Sequence, residues 1–172
     1  MLAEYKVATA MLKIGTVEIQ DDSIETIAKA TATEAAKRCS LPVIVEDAGL
    51  FINVLNGFPG PYSSYVYRTI GTEGILKLLK NTESRDAIFH SVVAFCSLGE
   101  PPSCFHGKAK GKISLQTRGK LGFGFDPIFE PSTSSGKTFA EITLMEKNRH
   151  SHRAEALRKF AGWYTSAVQR RF

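Results

Sequence analysis

Residues 43–49 read Val-Ile-Val-Glu-Asp-Ala-Gly: three consecutive β-branched aliphatics, introduced by Pro42, run straight into two carboxylates. A short apolar run bounded in this way predicts a buried strand, and open α/β sheets collect their ligands beyond the carboxyl ends of such strands. Glu46 and Asp47 therefore stand where a sheet would meet its ligand. Successive strand residues point to opposite faces, so the two acids are expected to do different jobs. One would bind a metal while the other orients a neighbour or an attacking water. A strand that merely ends in solvated charge has the same sequence, so the pair alone leaves both readings open.

Outward from this strand the chain punctuates itself clearly. Upstream, residues 5–20 predict extended chain with a Gly break. A helix then opens at Asp22 or Ser23, where Asp22 and Glu25 have capping-box spacing. Its apolar face is Ile24, Ile27, Ala28, Ala32 and Ala35, ending near Arg38. Downstream, Asn56–Pro61 is a rigid loop and Gly71-Thr72 starts another helix. Ala87–Leu98 and Ser103–Leu115 predict two strands joined as a hairpin by the Gly99–Pro102 turn. Thr143 with Glu146 forms a capping box for a short helix. Ser151 caps a long one with Leu157, Phe160, Ala161, Tyr164 and Val168 on one face. Strands and helices mix without strict alternation, which predicts an α/β fold with a mixed sheet.

The 172 residues suit a single domain, with 43% apolar and 23% charged residues excluding a disordered chain. No run reaches the roughly 18 apolar residues that span a bilayer, and the first residues lack a signal-peptide pattern. A cytoplasmic protein with no membrane partner is expected. Three cysteines without a CxxC pair argue against a disulfide framework or zinc site; Cys39 and Cys96 read as small core residues. Residues 143–172 hold seven Lys or Arg and two Glu, which equals the whole net charge of +5. That basic end suits an anionic ligand, and a solvated helix face would look alike.

Three further groups carry possible chemistry. Asp22 and Glu25, with Glu46 and Asp47, supply hard oxygen donors of the kind that bind Mg²⁺ together with substrate phosphates, although Asp22 and Glu25 equally suit helix capping. In Gly122-Phe123-Gly124-Phe125-Asp126-Pro127 the glycines let backbone approach a planar ligand, a Phe ring can stack on a base, and Asp126 can accept from a base N–H. A plain glycine turn is the alternative. Lys147 through Arg153 places His152 and Arg153 in the first turn of the last helix, where free N–H groups favour anions.

Taken together, VIVEDAGLFINVLNGFPGPYS (43–63), GFGFDPIF (122–129) and TFAEITLMEKNRHSHRAEALRKF (138–160) resemble, in order and spacing, the inosine triphosphate pyrophosphatase family, especially its archaeal-type members. The likeness runs from about Val17 to Phe160. It implies an elongated α/β domain of two lobes around a central nucleotide cleft, usually homodimeric. It also implies hydrolysis of ITP, dITP and XTP to monophosphate and pyrophosphate with Mg²⁺. Asp47 would be proton acceptor and metal ligand, supported by Glu46. Phe123, Gly124, Phe125 and Asp126 would hold the base, and Lys147, His152 and Arg153 would complete base and phosphate recognition.

The sequence departs from the family in three places. The family's metal-binding Glu aligns nearest Thr26, with Glu25 one residue before it as the available ligand. Ala48 stands where a Ser or Thr usually contacts phosphate. The family's opening strand and (S/T)-G-N-x-x-K phosphate loop have no counterpart within residues 1–172, which leaves open a start upstream of Met1 or a lost phosphate cradle and core strand, and residues 1–5 read as the tail of the helix that follows them in the family. The expectation is a weak pyrophosphatase, its alternative a purine-nucleotide-binding member with little turnover. A nucleic-acid-binding domain, suggested by the basic end, finds no recognisable motif.

Overall fold

The computed structural model describes residues 2–17 and 19–169, and the side chains of Val168 and Gln169 lie outside what is described. The fold is α/β. A 3₁₀ turn at Leu2–Tyr5 precedes α1 (Ile24–Cys39), β1 (Val43–Ile52), β2 (Pro59–Gly60), α2 (Ser63–Thr69) and α3 (Gly71–Leu78). The chain continues through β3 (Asp86–Cys96), β4 (Ser103–Ile113), β5 (Phe129–Pro131), α4 (Leu144–His150) and α5 (His152–Gln169). The five strands form one sheet in the order β2-β1-β3-β4-β5. β2 lies antiparallel to β1 with Leu50 opposite Gly60, and β5 lies antiparallel to β4 with Ile113 opposite Phe129. Both edge strands are only two or three residues long, and a short edge presents few unpaired groups to another chain.

Several sequence expectations are corrected here. Of residues 5–20, expected to be extended, Tyr5 ends a 3₁₀ turn and Lys6 has φ +58°, while residues 7–17 join no strand ladder; β-branched residues become a strand only where a neighbour completes the ladder, and the Val17 N–H donates to the Glu34 carboxylate at 3.1 Å. Helix α1 is capped by Ser23, whose hydroxyl accepts from the Thr26 N–H, so no Asp22–Glu25 box forms. Cys39 is half-buried rather than part of the core, whereas Cys96 is buried. The largest correction concerns the opening motif. β1 continues to Ile52, so Glu46 and Asp47 lie in mid-strand. Val43, Ile44 and Val45 are half-buried, while Leu50 and Ile52 are fully buried. The strand runs on because Gly49 admits its neighbour: a Cβ there would sit 2.3 Å from the Gly60 carbonyl oxygen.

The residues cluster into two compact units. The first comprises residues 1–47, 91–107 and 153–172, and its apolar cluster includes Val7, Val93, Ala156 and Phe160 with Phe95, Phe105 and Tyr164 packed against them. The second comprises residues 48–90 and 108–152 and holds Leu50, Ile52, Ile75, Leu79, Phe89, Ile113, Phe129 and Phe139 in its core. The hairpin and both late helices fall where the sequence put them. The Thr143–Glu146 capping box is complete, with each side chain accepting from the other residue's backbone N–H.

Candidate active site

In the first unit, Glu46 is tied to two partners. It accepts a hydrogen bond from the Ser91 hydroxyl at 2.6 Å, and its second oxygen lies 2.9 Å from Nε of Arg153. Its side chain is 24% exposed, and that of Arg153 is 37% exposed. β1 aligns Glu46, β3 supplies Ser91, and the first turn of α5 delivers Arg153. The adjacent Asp47 is half-buried, and strand alternation sends it to the opposite face from Glu46.

Glu25, the expected second metal ligand, sits in the first turn of α1 and is ion-paired with Lys29 and with Nε2 of His106 at 3.2 Å. The hydrogen bond from Lys29 leads the influences that hold its carboxyl below the ordinary value. Cys104 is close enough to this group to feel its charges, and burial pushes its thiol up, away from nucleophilic character. Among the described residues no group of three or more His, Cys, Asp or Glu side chains is arranged to hold a metal. Mg²⁺ bound mainly through substrate phosphates needs only one or two protein carboxylates, a demand that the hard oxygens of Asp47 meet chemically.

In the second unit the Gly-rich segment is organised around a buried ion pair. Lys147 Nζ lies 2.5 Å from Oδ2 of Asp126, with the two side chains only 11% and 3% exposed. The same oxygen accepts the Phe123 N–H at 2.8 Å. Gly122 has φ +77°, and a Cβ there would meet Oδ2 of Asp126 at 2.1 Å, so this carboxylate can occupy its place only beside a glycine. The ammonium stands 4.8 Å from the ring centroid of Phe123 and 5.2 Å from that of Phe139, a cation held between two aromatic faces. Phe139 is buried, whereas Phe123 is 62% exposed.

The remaining residues of this unit divide between packing and surface. Gly124, with φ +59°, has open space around its missing side chain. Phe125 is buried against Tyr67, ring centroids 5.4 Å apart and edge to face. His152 is buried and stacks on Phe89 at 4.6 Å with an interplanar angle of 11°. Ala48 is half-buried and offers only a methyl group.

The structure thus joins Glu46 with Arg153, and Phe123 with Asp126 and Lys147. Glu25 makes its ion pairs with Lys29 and His106, neither of them an expected site residue. Sequence reading missed Ser91, Phe89 and Phe139. Nothing local marks a serine inside an apolar strand as the partner of an acid 45 residues away. The two phenylalanines read as ordinary core, which they also are.

The profile of the Ham1 family matches residues 1–163. The chain belongs to the Ham1 family. A Methanopyrus kandleri protein named dITP/XTP pyrophosphatase is 49% identical over 168 residues, covering 98% of this chain and 89% of that protein. A Methanothermobacter marburgensis protein of the same name is 51% identical over 152 residues, covering 88% and 80%. Among solved structures, the Ham1 protein of Staphylococcus aureus superposes with a TM-score of 0.82 at 30% identity, covering 90% of this chain and 82% of that one. That of Coxiella burnetii gives 0.82 at 32%, covering 96% and 84%. These Ham1 structures share the α/β architecture described above.

Proposed function

We propose that this chain is a nucleoside-triphosphate pyrophosphatase acting on purine nucleotides with a 6-keto base, such as dITP, XTP and ITP, and releasing the monophosphate and pyrophosphate. The observation that carries the reading is the exposed Phe123 ring on a loop fixed by a buried Lys147–Asp126 pair. A rigid aromatic face suits a planar base, and the activity for which the Methanopyrus and Methanothermobacter relatives are named supports the substrate class.

Each side chain then has a role set by its chemistry. Phe123 stacks on the purine. Lys147 can only donate hydrogen bonds, so it suits a keto oxygen and mismatches the amino group of adenine; a donor left without its acceptor is a strong basis for rejection. Arg153, fixed by Glu46, adds a planar fork of donors for base or phosphate. Asp47 accepts a proton from the water that attacks the α-phosphorus; the new P–O bond forms as the bridge to the β-phosphate breaks, and pyrophosphate leaves with the bridging oxygen. Mg²⁺ held by Asp47 and the phosphates would neutralise charge on the phosphoryl oxygens. Mg²⁺ dependence, a homodimer and a cytoplasmic location belong to the same reading, through the family resemblance.

The test is the product. Incubated with dITP or XTP and Mg²⁺, the wild type should yield monophosphate and pyrophosphate, and much less from ATP. Asp47→Asn should keep the fold and the binding of IMP while losing at least about 10²-fold in turnover, the scale of a lost general base. Formation of diphosphate and phosphate would overturn the reaction assigned. Nucleotide binding without turnover above buffer would make the chain a purine-binding member instead.

A further inference from the structure

The Gly-rich segment that carries Phe123 and Asp126 lies between the end of β4 at Ile113 and the start of β5 at Phe129, and one side chain ties its root to three neighbouring segments. Arg118 Nη2 donates to Oε1 of Glu130 at 2.7 Å and to the Gly136 carbonyl at 2.8 Å, while its Nε lies 3.4 Å from Oε2 of Glu141. Glu130 is the middle residue of β5 and is buried, and Glu141 closes the 3₁₀ turn at Phe139–Glu141. The backbone of Arg118 is used as well. Its N–H donates to the Pro127 carbonyl at 2.9 Å, closing the loop across its own base, and its carbonyl accepts from the Thr138 hydroxyl at 3.1 Å. Two residues further on, the N–H groups of Lys120 and Leu121 both donate to the Ala140 carbonyl, at 3.1 and 3.0 Å. Gly119 between them has φ +80°, and a Cβ there would lie 2.2 Å from that carbonyl oxygen.

These contacts make the loop a rooted hairpin rather than a free glycine-rich segment. Loop tips with three glycines have high conformational entropy, and an aromatic platform contributes to affinity only if its orientation is fixed before the ligand arrives. At the tip, Asp126 orients the Phe123 backbone. At the root, the Arg118 side chain ties the loop at once to β5, to the Gly136 turn and to the 3₁₀ turn that carries Phe139 beneath Lys147, alongside the backbone bonds of Lys120 and Leu121 to Ala140. We propose that Arg118 is a positioning residue for base recognition, acting through the geometry of the Phe123–Asp126 loop without touching substrate. A guanidinium is suited to this task because its planar fork reaches carboxylate and carbonyl together, a geometry that a lysine ammonium does not reproduce.

The inference rests on the pyrophosphatase reading, and two measurements separate its failure from the failure of that reading. Steady-state kinetics with dITP are compared for wild type, Arg118→Met and Arg118→Lys, alongside amide hydrogen exchange of residues 119–126 in the same proteins without nucleotide. Arg118→Met should raise KM by about tenfold or more while kcat stays within about threefold, because the loop holds the base and not the attacked phosphorus. Exchange in 119–126 should speed up while the amides of β3 stay protected, and Arg118→Lys should fall between the two. A fall in kcat at unchanged KM, or loop exchange equal to wild type, overturns the proposal. If Arg118→Met does not fold, the Arg118→Lys variant decides on the same two criteria. A wild type that cleaves no purine triphosphate overturns the pyrophosphatase reading, and the exchange result then decides the loop-positioning role by itself.

Discussion

Glu46 and Asp126 are both carboxylates paired with a cation, yet their surroundings set them to different work. Glu46 shares its two oxygens between the Ser91 hydroxyl and Arg153, and a quarter of its side chain meets solvent. Asp126 is almost fully enclosed, with Lys147 and the Phe123 N–H converging on one oxygen. In the low-dielectric setting an ion pair must be complete, because either charge alone would be stranded. At the half-open site a lost partner is replaced by water. The buried pair therefore fixes a loop, and the half-open one orients an arginine that is still 37% exposed to an arriving anion.

The largest expected effect tests that contrast directly. Lys147→Met strands the Asp126 carboxylate and should destabilise the protein by about 3–5 kcal/mol, whereas Arg153→Met should change stability by no more than about 1 kcal/mol. Urea unfolding of the two variants measures both. Adding Asp126→Leu to Lys147→Met should recover much of the loss, since an apolar pair of similar volume fills the site without charge. Similar losses in Lys147→Met and Arg153→Met would erase the distinction between the two sites.

The same contrast explains what could be read from the chain alone. Local chemistry was legible: the Thr143–Glu146 box, the apolar face of α1, the hairpin and the Gly-rich turn each follow from neighbours within a few residues. The fold class followed from motifs of that kind, whereas the roles given to the candidate residues came through the family resemblance. What escaped depends on long-range partners. That β1 runs on past Asp47 is decided by Gly60 approaching Gly49, and that residues 7–17 form no strand is decided by the lack of a ladder beside them. Glu25 carried two plausible local readings, cap and metal ligand, yet its ion pairs go to Lys29 on its own helix and to His106 on β4. Spacing in sequence says nothing about a β4 histidine.

A smaller effect is expected at Arg153. On the proposed role it contributes donors to base recognition, so Arg153→Ala should narrow the ratio of kcat/KM for ITP over ATP by roughly tenfold, about 1.4 kcal/mol of discrimination. Rates with both nucleotides, measured at the same Mg²⁺ concentration, decide it. If both fall by one common factor, Arg153 serves phosphate binding or the Glu46 contact, and base reading falls to the Phe123–Lys147 loop alone.

The smallest effect lies at Glu25, which is more exposed than Glu46 or Asp126, with 37% of its side chain in solvent. Its carboxyl is held below its ordinary 4.5, first by the hydrogen bond from Lys29 and then by the charges of Lys29 and His106, against opposing burial. A carboxyl whose folded value is depressed stabilises the fold while it is ionised. That contribution is complete above the unfolded value near 4.5 and is lost as pH falls through the lower folded value. Solvent screening at this exposure keeps it to about 0.5 kcal/mol or less. Glu25→Gln should therefore be slightly less stable than wild type at about pH 7, and the gap should close at an acid pH below the lowered folded value, where the wild-type carboxyl is protonated too. Urea midpoints of the two proteins at both pH values supply the measurement. A gap that persists unchanged at the lower pH would mean that Glu25 acts through packing or hydrogen bonding rather than charge, and the ranking of the three acids by exposure would then lose its electrostatic basis.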